Sequence, residues 1–568
     1  MLRNSTNRTR TRRLVSVAAV ATATALLIGA CSGTGTGAGN QAATKDASIT
    51  VFNGATGTIT KNFNPFSSTA LQPTLGVIYE PLYWYNFAKQ SDPTPVLATG
   101  YSWNAAGTEL TIKTRHDVKW NDGQPFTAKD VAFTFNLVAK TPALNPSGLA
   151  AVAKATADDT AVLTFKSKSL MQEPAVLANQ AIVPEHIWKD IKDPTTNIND
   201  NPVGTGPFKL KSFTPQSYVL GKNDQYWEQG KPSIKEVRYI SLDSADAASA
   251  ALVAGKVDWM SAYLPGIDNI IKSGKDLSYL NTPVMTTVIV TCSNAALGCT
   301  GPQTDPAVRK AIYLAMNREQ LTKLAGGGVA AVGSPTLLLP GRDDNWIADA
   351  GTAKLPQAAN ADEVNKILDA AGWTKGSDGV RAKDGKRLSL TVQTVTGWSD
   401  YISINDTLKQ QLSAVGIELK PSQVSWNEWN AAQTNGKFQL SLDSVGLGAS
   451  TNPYFTYDSK LATTNTAPVG KSASAGNQSR FSDPAVDAAL TAAAGTTDQA
   501  AQKAEYAKIQ SVVAEQLPYI PVYVNSMLTE FNTSRATGWP TKDNTYVLPA
   551  SWKAWDNGIV LKTITPAK

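Results

Sequence analysis

Fourteen tryptophans stand in this chain, and Trp398, Trp426 and Trp429 are grouped. A flat indole face stacks on the apolar side of a sugar ring, and neighbouring Asn or Asp side chains bond its hydroxyls. Ordinary core packing is the other use of each ring. Two glycine-bearing stretches offer a second kind of contact. Asn53-Gly54-Ala55-Thr56 and Gly446-Leu447-Gly448-Ala449-Ser450-Thr451-Asn452 can bring backbone close to a bound molecule. Backbone groups grip an oligomer without reading its side chains. The candidate ligand-binding residues are therefore Asn53, Gly54, Thr56, Trp398, Trp426, Trp429, Gly446, Leu447, Gly448 and Asn452. Catalytic patterns are missing: there is no G-x-S-x-G elbow, no phosphate loop and no H-E-x-x-H. His116 and His186 form no ligand-spaced cluster, so neither a metal nor another cofactor is expected. The carboxylates nominate no acid–base pair, and no enzyme activity is expected.

The formal charge of +6 is concentrated at one end, where Arg3, Arg8, Arg10, Arg12 and Arg13 precede Cys31 without any acid. Without those five the charge is +1, a balance that does not call for nucleic acid. Arginines followed by the largely apolar run Leu14–Ile28 have the shape of a signal peptide, too short for a comfortable membrane span. Ile28-Gly29-Ala30-Cys31 resembles a bacterial lipobox, in which Cys31 receives lipid; a plain signal peptide is the alternative. Arg12-Arg13 also leaves twin-arginine export open. The glycine-rich stretch from Ser32 to Gly39 reads as a tether within residues 32–46. In an exported chain, Cys292 and Cys299 are expected to form a disulfide around a small loop.

The elements that must position these residues follow from local pattern. With 568 residues, 42% of them hydrophobic, the chain can build several domain-sized units. Ala47–Asn53 reads as a first strand, and Leu110–Lys113 alternates as another. Phe208, Leu210 and Phe213, then Tyr218 and Leu220, predict a hairpin turning at Thr214-Pro215-Gln216. Thr127 and Asp130 make a capping box for a helix whose buried face carries Val131, Phe135 and Val138. Asp305 caps a second helix with Pro306 in its first turn. Leu388, Leu390 and Val392 predict a strand. A helix lined by Ile404, Leu408, Leu412 and Val415 and ended by Gly416 comes next, then a strand from Ile417. That is a βαβ unit and implies a mainly parallel sheet.

Three blocks carry a family resemblance. Gly204-Thr205-Gly206-Pro207-Phe208, Asn223 and Tyr226-Trp227 resemble the GTGPF…N…YW signature of extracytoplasmic solute-binding proteins, family 5, which serve peptide-type ABC importers. Trp120 to Val131 resembles its W-x-DG-x-PFTA-x-DV block, and Asp305 to Ile312 resembles its second-lobe opening. Asn64-Pro65 followed by Tyr79-Glu80-Pro81-Leu82 also fits, in the family order of strand, loop and helix. The resemblance spans nearly the whole mature chain. It implies an α/β fold of two lobes, the periplasmic-binding-protein type II arrangement, closing on a ligand by hinge motion. Lobe I would span 47–290 with a subdomain inserted at about 84–200, lobe II 291–523, and 524–568 would return to lobe I. The lobes would join near 286–292 and 523–530. A monomer, held to the membrane by its lipid alone, would deliver its ligand to an ABC permease and its ATPase.

For the ligand the resemblance points two ways. Peptide-binding members often carry an Asp shortly after a Gly-Trp, where it pairs with the peptide ammonium. Here Leu447 follows Gly446, and no Asp lies before Pro453. Gly397-Trp398-Ser399-Asp400-Tyr401 instead resembles a stretch of oligosaccharide-binding members. Oligopeptides and oligosaccharides both stay open, with nickel chelates or other solutes behind them; a sensory or adhesion module on the same scaffold is the alternative role.

Overall fold

In the computed structural model, Phe208–Thr214 and Ser217–Lys222 pair as the antiparallel hairpin their alternation implies. Tyr218 on its buried face stacks on Tyr239 at 4.8 Å. The structure describes residues 48–67, 69–145, 151–264, 266–349, 351, 353–446, 448–473 and 476–567. The N-terminal stretch with Cys31 and the tether, and Leu447, lie outside them.

The hairpin ends a ten-stranded mixed sheet. From that edge the order is Phe208–Thr214, Ser217–Lys222, Glu236–Ile240, Ser48–Phe52, Trp259–Met260, Tyr519–Asn532, Leu277–Thr291, Leu440–Val445, Ser389–Val395 and Glu418–Val424. Ser48–Phe52 runs parallel to both its neighbours, as does Ser389–Val395. The second of these is the βαβ unit, with helix Ser399–Ser413 as its crossover and Gly416 at φ +83° just beyond.

Two long strands, Leu277–Thr291 and Tyr519–Asn532, run antiparallel through the middle and belong to both lobes. Trp259–Met260 joins the return strand only at Glu530 and Phe531, and Leu440–Val445 joins its partner only from Thr286 onward. Between Leu280 and Met285 the sheet is therefore two strands wide, with Pro283 contributing no amide donor and a register shift beside it. Bending is cheapest at such a waist. A loop from the second lobe braces it, since the Val329 carbonyl accepts from Asn281 Nδ2 at 2.7 Å and from Ser526 Oγ at 3.0 Å.

A four-stranded antiparallel sheet forms the body of the insert, in the order Ala98–Trp103, Glu109–Thr114, Thr160–Phe165 and Ala151–Ala157. Helix Ala128–Lys140 packs on it, opened by the Thr127–Asp130 capping box. The first lobe and insert share one apolar core, built around Val51, Ile78, Trp120, Tyr239 and Trp259. Each face of the second-lobe sheet has its own core, one around Ile312, Leu390 and Leu408, the other around Val290, Tyr457 and Tyr506. Cys292 and Cys299 are disulfide-bonded, with their Cα atoms 5.5 Å apart. In the C-terminal segment Trp539 packs on Trp259 and Phe531.

One expectation fails. Residues 75–82 form turns instead of a helix around Tyr79-Glu80-Pro81-Leu82. The carbonyls of Val77 and Ile78 accept from the amides of Phe208 and Gly206, at 3.1 and 2.9 Å, so they are not free for amides four residues on. Pro81 removes a further donor. Glu80 is buried here and accepts from Tyr226 Oη at 2.8 Å and Trp227 Nε1 at 3.0 Å. Burial pushes its carboxyl upward, opposed by the Lys562 charge and these donors. The first-lobe blocks at 77–80, 120–121, 204–208 and 226–227 are thus bonded to one another as scaffold.

Candidate functional site

A cavity of about 1010 Å³ lies between the insert and the second lobe. Its insert wall is aromatic and acidic. Strand Ala98–Trp103 turns Tyr101 and Trp103, two residues apart, to the same face. Tyr85 and Glu173 join them, Glu173 from the first turn of helix Glu173–Ala178. The Glu173 carboxylate accepts from Tyr101 Oη at 2.9 Å, Tyr85 Oη at 3.3 Å and Trp103 Nε1 at 2.8 Å. Burial, and after it the Glu173 charge, pushes the Tyr85 and Tyr101 hydroxyls up, so both remain donors. Asp92 and Lys168 stand at the same wall.

The second-lobe wall is neutral: Trp346, Ser450, Thr451, Asn452, Phe455, Gln499 and Gln502. Asn452 is fixed on all sides. Its Oδ1 accepts from Tyr506 Oη at 2.6 Å and from the Tyr454 amide at 2.9 Å, and its Nδ2 donates to Gln502 Oε1 at 3.0 Å. Gly448 is required by close approach, since a Cβ there would lie 2.3 Å from Phe455 Cβ. Trp346 packs edge-on against Tyr506 with ring centres 5.5 Å apart.

Among the described residues, three side-chain hydrogen bonds cross between the two sides around the cavity. Asn179 Nδ2 donates to Ala449 O at 3.2 Å, Lys168 Nζ to Gly495 O at 2.6 Å and Asn345 Nδ2 to Gln90 Oε1 at 3.5 Å. The lobes touch around the cavity, yet each contact is a single exposed or half-exposed bond that opening could break at small cost.

Of the residues singled out from the sequence, Asn452 lines this cavity. Trp398 and Trp429 pack edge-to-face at 5.2 Å, with Tyr401 5.4 Å from Trp398, in a second-lobe cluster away from the cavity wall. Trp429 is buried and Trp426 is 54% exposed. Asp400, next to them, is pushed up by burial, and its charge in turn adds to the burial that raises Tyr263 and Tyr523. Asn53 is half-buried and caps its own turn by accepting from the Ala55 amide at 3.4 Å; Gly54, Thr56 and Gly446 are exposed. None of the three lines the cavity, nor does Gly448. Sequence reading missed Tyr85, Tyr101, Trp103, Glu173, Trp346 and Phe455. The alternation Tyr101-Ser102-Trp103 was a usable signal for two of them; a lone glutamate gives none.

Residues 92–468 match the model of the bacterial extracellular solute-binding proteins, family 5 Middle. The chain belongs to this family. This solute-binding protein is 27% identical over 436 residues to the oligopeptide-binding protein AppA of Bacillus subtilis, covering 73% of this chain and 75% of that one. It is 28% identical over 425 residues to protein XP55 of Streptomyces lividans, covering 73% and 72%. Its fold matches the periplasmic oligopeptide-binding protein of an oligopeptide ABC transporter from Thermotoga maritima, at TM-score 0.81 and 25% identity, over 92% of this chain and 99% of that one. The mannohexaose-bound form of that Thermotoga protein matches at TM-score 0.72 and 26% identity, with the same coverage. The two-lobed α/β architecture is thus that of the family. Among the described residues of this solute-binding protein, no helix is long and apolar enough to cross a membrane, and no group of His, Cys, Asp and Glu could hold a metal ion.

Proposed function

We propose that this solute-binding protein is the substrate-binding subunit of an ABC importer, capturing oligopeptides between its lobes and handing them to a membrane permease driven by an ATPase. The observation that carries this reading is the cavity of about 1010 Å³ walled by both lobes. That volume is at the upper end for small-molecule sites and suits a short oligomer. Its aromatic faces supply apolar area, and its amides and hydroxyls match a peptide backbone. Names of relatives in the family agree, AppA among them. The two-strand waist is the natural place for closure. The protein is read as a receptor without catalytic activity, acting as a monomer.

A second reading, oligosaccharide binding, rests on the aromatic and amide character of both walls and on the mannohexaose-bound neighbour. In either reading we propose that Trp398, Trp426 and Trp429, Gly446 and Gly448, and Asn53, Gly54 and Thr56 from the first lobe add contacts beyond the cavity wall. Calorimetry against di- to hexapeptides and against cello-, xylo- and manno-oligosaccharides tests both. Peptide binding weakened about ten- to hundredfold by Trp103→Ala is the expected result, since a large buried side chain contributes about 1.5–3 kcal/mol. Sugar binding lost in Trp398→Ala assigns the second reading. Silence in both panels removes both ligands.

The Arg-rich start, the apolar run and Gly29-Ala30-Cys31 support a lipid anchor on Cys31, which places the receptor outside the cell membrane. Cys31→Ala is expected to move the protein into the medium. Retention in the membrane fraction would count against the anchor.

A further inference from the structure

We propose that Glu173 of the insert is the counter-charge for a primary ammonium group of the ligand, the α-ammonium of a bound peptide above all. This rests on the peptide reading of the cavity and adds the group that reads the ligand's charge. The stretch from Gly446 to Pro453 contains no acid, and the second-lobe wall presents only neutral polar groups from Ser450, Thr451, Asn452, Gln499 and Gln502. A buried ammonium without a carboxylate is costly, so its partner has to come from the opposite wall.

Glu173 is built for this. A carboxylate has about four acceptor positions. Tyr85 and Tyr101 hydroxyls take two on Oε1, and the Trp103 indole takes one on Oε2. Three donors fix the group and leave acceptor capacity on Oε2, and Glu173 lines the cavity. All three are neutral, and no lysine, arginine or histidine pairs with Glu173 among the described residues. The cation at the same wall, Lys168, donates its ammonium to Gly495 O instead. The surrounding rings add attraction for a cation, because an aromatic face is negative. A negative group with three neutral aromatic donors favours a cationic guest over an anionic or neutral one.

The experiment is calorimetry on the whole protein with tetra-alanine, N-acetyl-tetra-alanine, and an N-acetylated alanine peptide carrying one lysine. Acetylation of the wild-type ligand is expected to weaken binding about ten- to hundredfold, the range for a charge-assisted hydrogen bond. Glu173→Gln should cost the free-amine peptide a similar factor and erase the difference between free and acetylated forms. Asp92→Asn should leave that difference in place. Recovery of binding by the lysine-bearing acetylated peptide shows that the site reads a primary ammonium from either source; no recovery confines it to the α-ammonium. The acetylation arm uses the unaltered protein, so it stands even if Glu173→Gln folds poorly. Peptides that bind equally well with and without acetylation overturn this assignment and leave the peptide receptor intact. Discrimination that survives in Glu173→Gln, or that Asp92→Asn removes, also overturns it. If no peptide binds, the peptide reading falls together with the assignment.

Discussion

Gly204→Ala is expected to lower the unfolding free energy by about 3 kcal/mol or more, the upper part of the overpacking range. A Cβ at residue 204 would lie 1.9 Å from the Ile78 carbonyl oxygen and 2.7 Å from its carbon. At Gly206 it would lie 2.3 Å from the Val77 oxygen. The obstacle in both cases is backbone, which cannot rotate aside. Neither glycine has positive φ, so close approach and not conformational freedom is the reason for glycine. The contact also holds Val77-Ile78-Tyr79-Glu80 against Tyr226 and Trp227, so its loss should loosen the first lobe. Gly221→Ala is the control: its nearest neighbour would be Lys211 Cδ at 3.8 Å, and a change within about 0.5 kcal/mol is expected. Equal denaturant midpoints for Gly204→Ala and wild type would refute the close approach.

Glu530 should make this protein less stable as pH rises from about 5 to about 8.5. It is fully buried on the return strand, where its Oε2 accepts from the Ala262 amide at 3.3 Å. Burial pushes its carboxyl from 4.5 up to about 8. Between those values the unfolded chain has released the proton and the folded chain retains it. The native state then binds more protons, so stability is full below the unfolded value and is lost as pH rises through the folded one. At about 1.36 kcal/mol per pH unit the loss is about 2–5 kcal/mol. Asp556, buried and pushed up to about 7, tilts the profile the same way. Glu530→Gln cannot titrate and should remove most of the slope that Glu530 contributes. Denaturant unfolding at pH 5 and pH 8.5 measures this, and identical pH profiles for wild type and variant would sink it. The loop that Glu530 holds at Ala262 carries Tyr263, whose hydroxyl is raised by burial and then by the Asp400 charge.

What could be read in the sequence was local. Thr127 and Asp130 stand three apart and form their capping box with no help from the rest of the chain. Asp305 with Pro306 opens a helix for the same reason. Alternation fixed the hairpin at 208–222 and the strands around helix Ser399–Ser413, because the side-chain period of a strand decides which face is buried. Family blocks were legible for a related reason: their glycines, Glu80 and aromatic pairs are held by backbone approach and buried hydrogen bonds, which admit few other residues.

The ligand cavity belongs to tertiary structure alone. Trp103 and Glu173 meet across 70 residues of sequence, and Asn179 meets Ala449 across 270. Nothing in the spacing of either pair anticipates the contact, since the sheet order and the two crossing strands bring them together. The same cause undid the helix expected at Tyr79-Glu80-Pro81-Leu82: its carbonyls were taken by Gly206 and Phe208, more than a hundred residues away. Tryptophan content pointed to aromatic recognition. Which aromatics face the cavity depended on how the insert folds against the second lobe, and that put Tyr85, Tyr101 and Trp103 on its wall and packed Trp398 against Trp429. Capping and strand period act within a few residues and are written in the sequence, whereas a cleft exists only between surfaces whose meeting is set by the burial of every core at once.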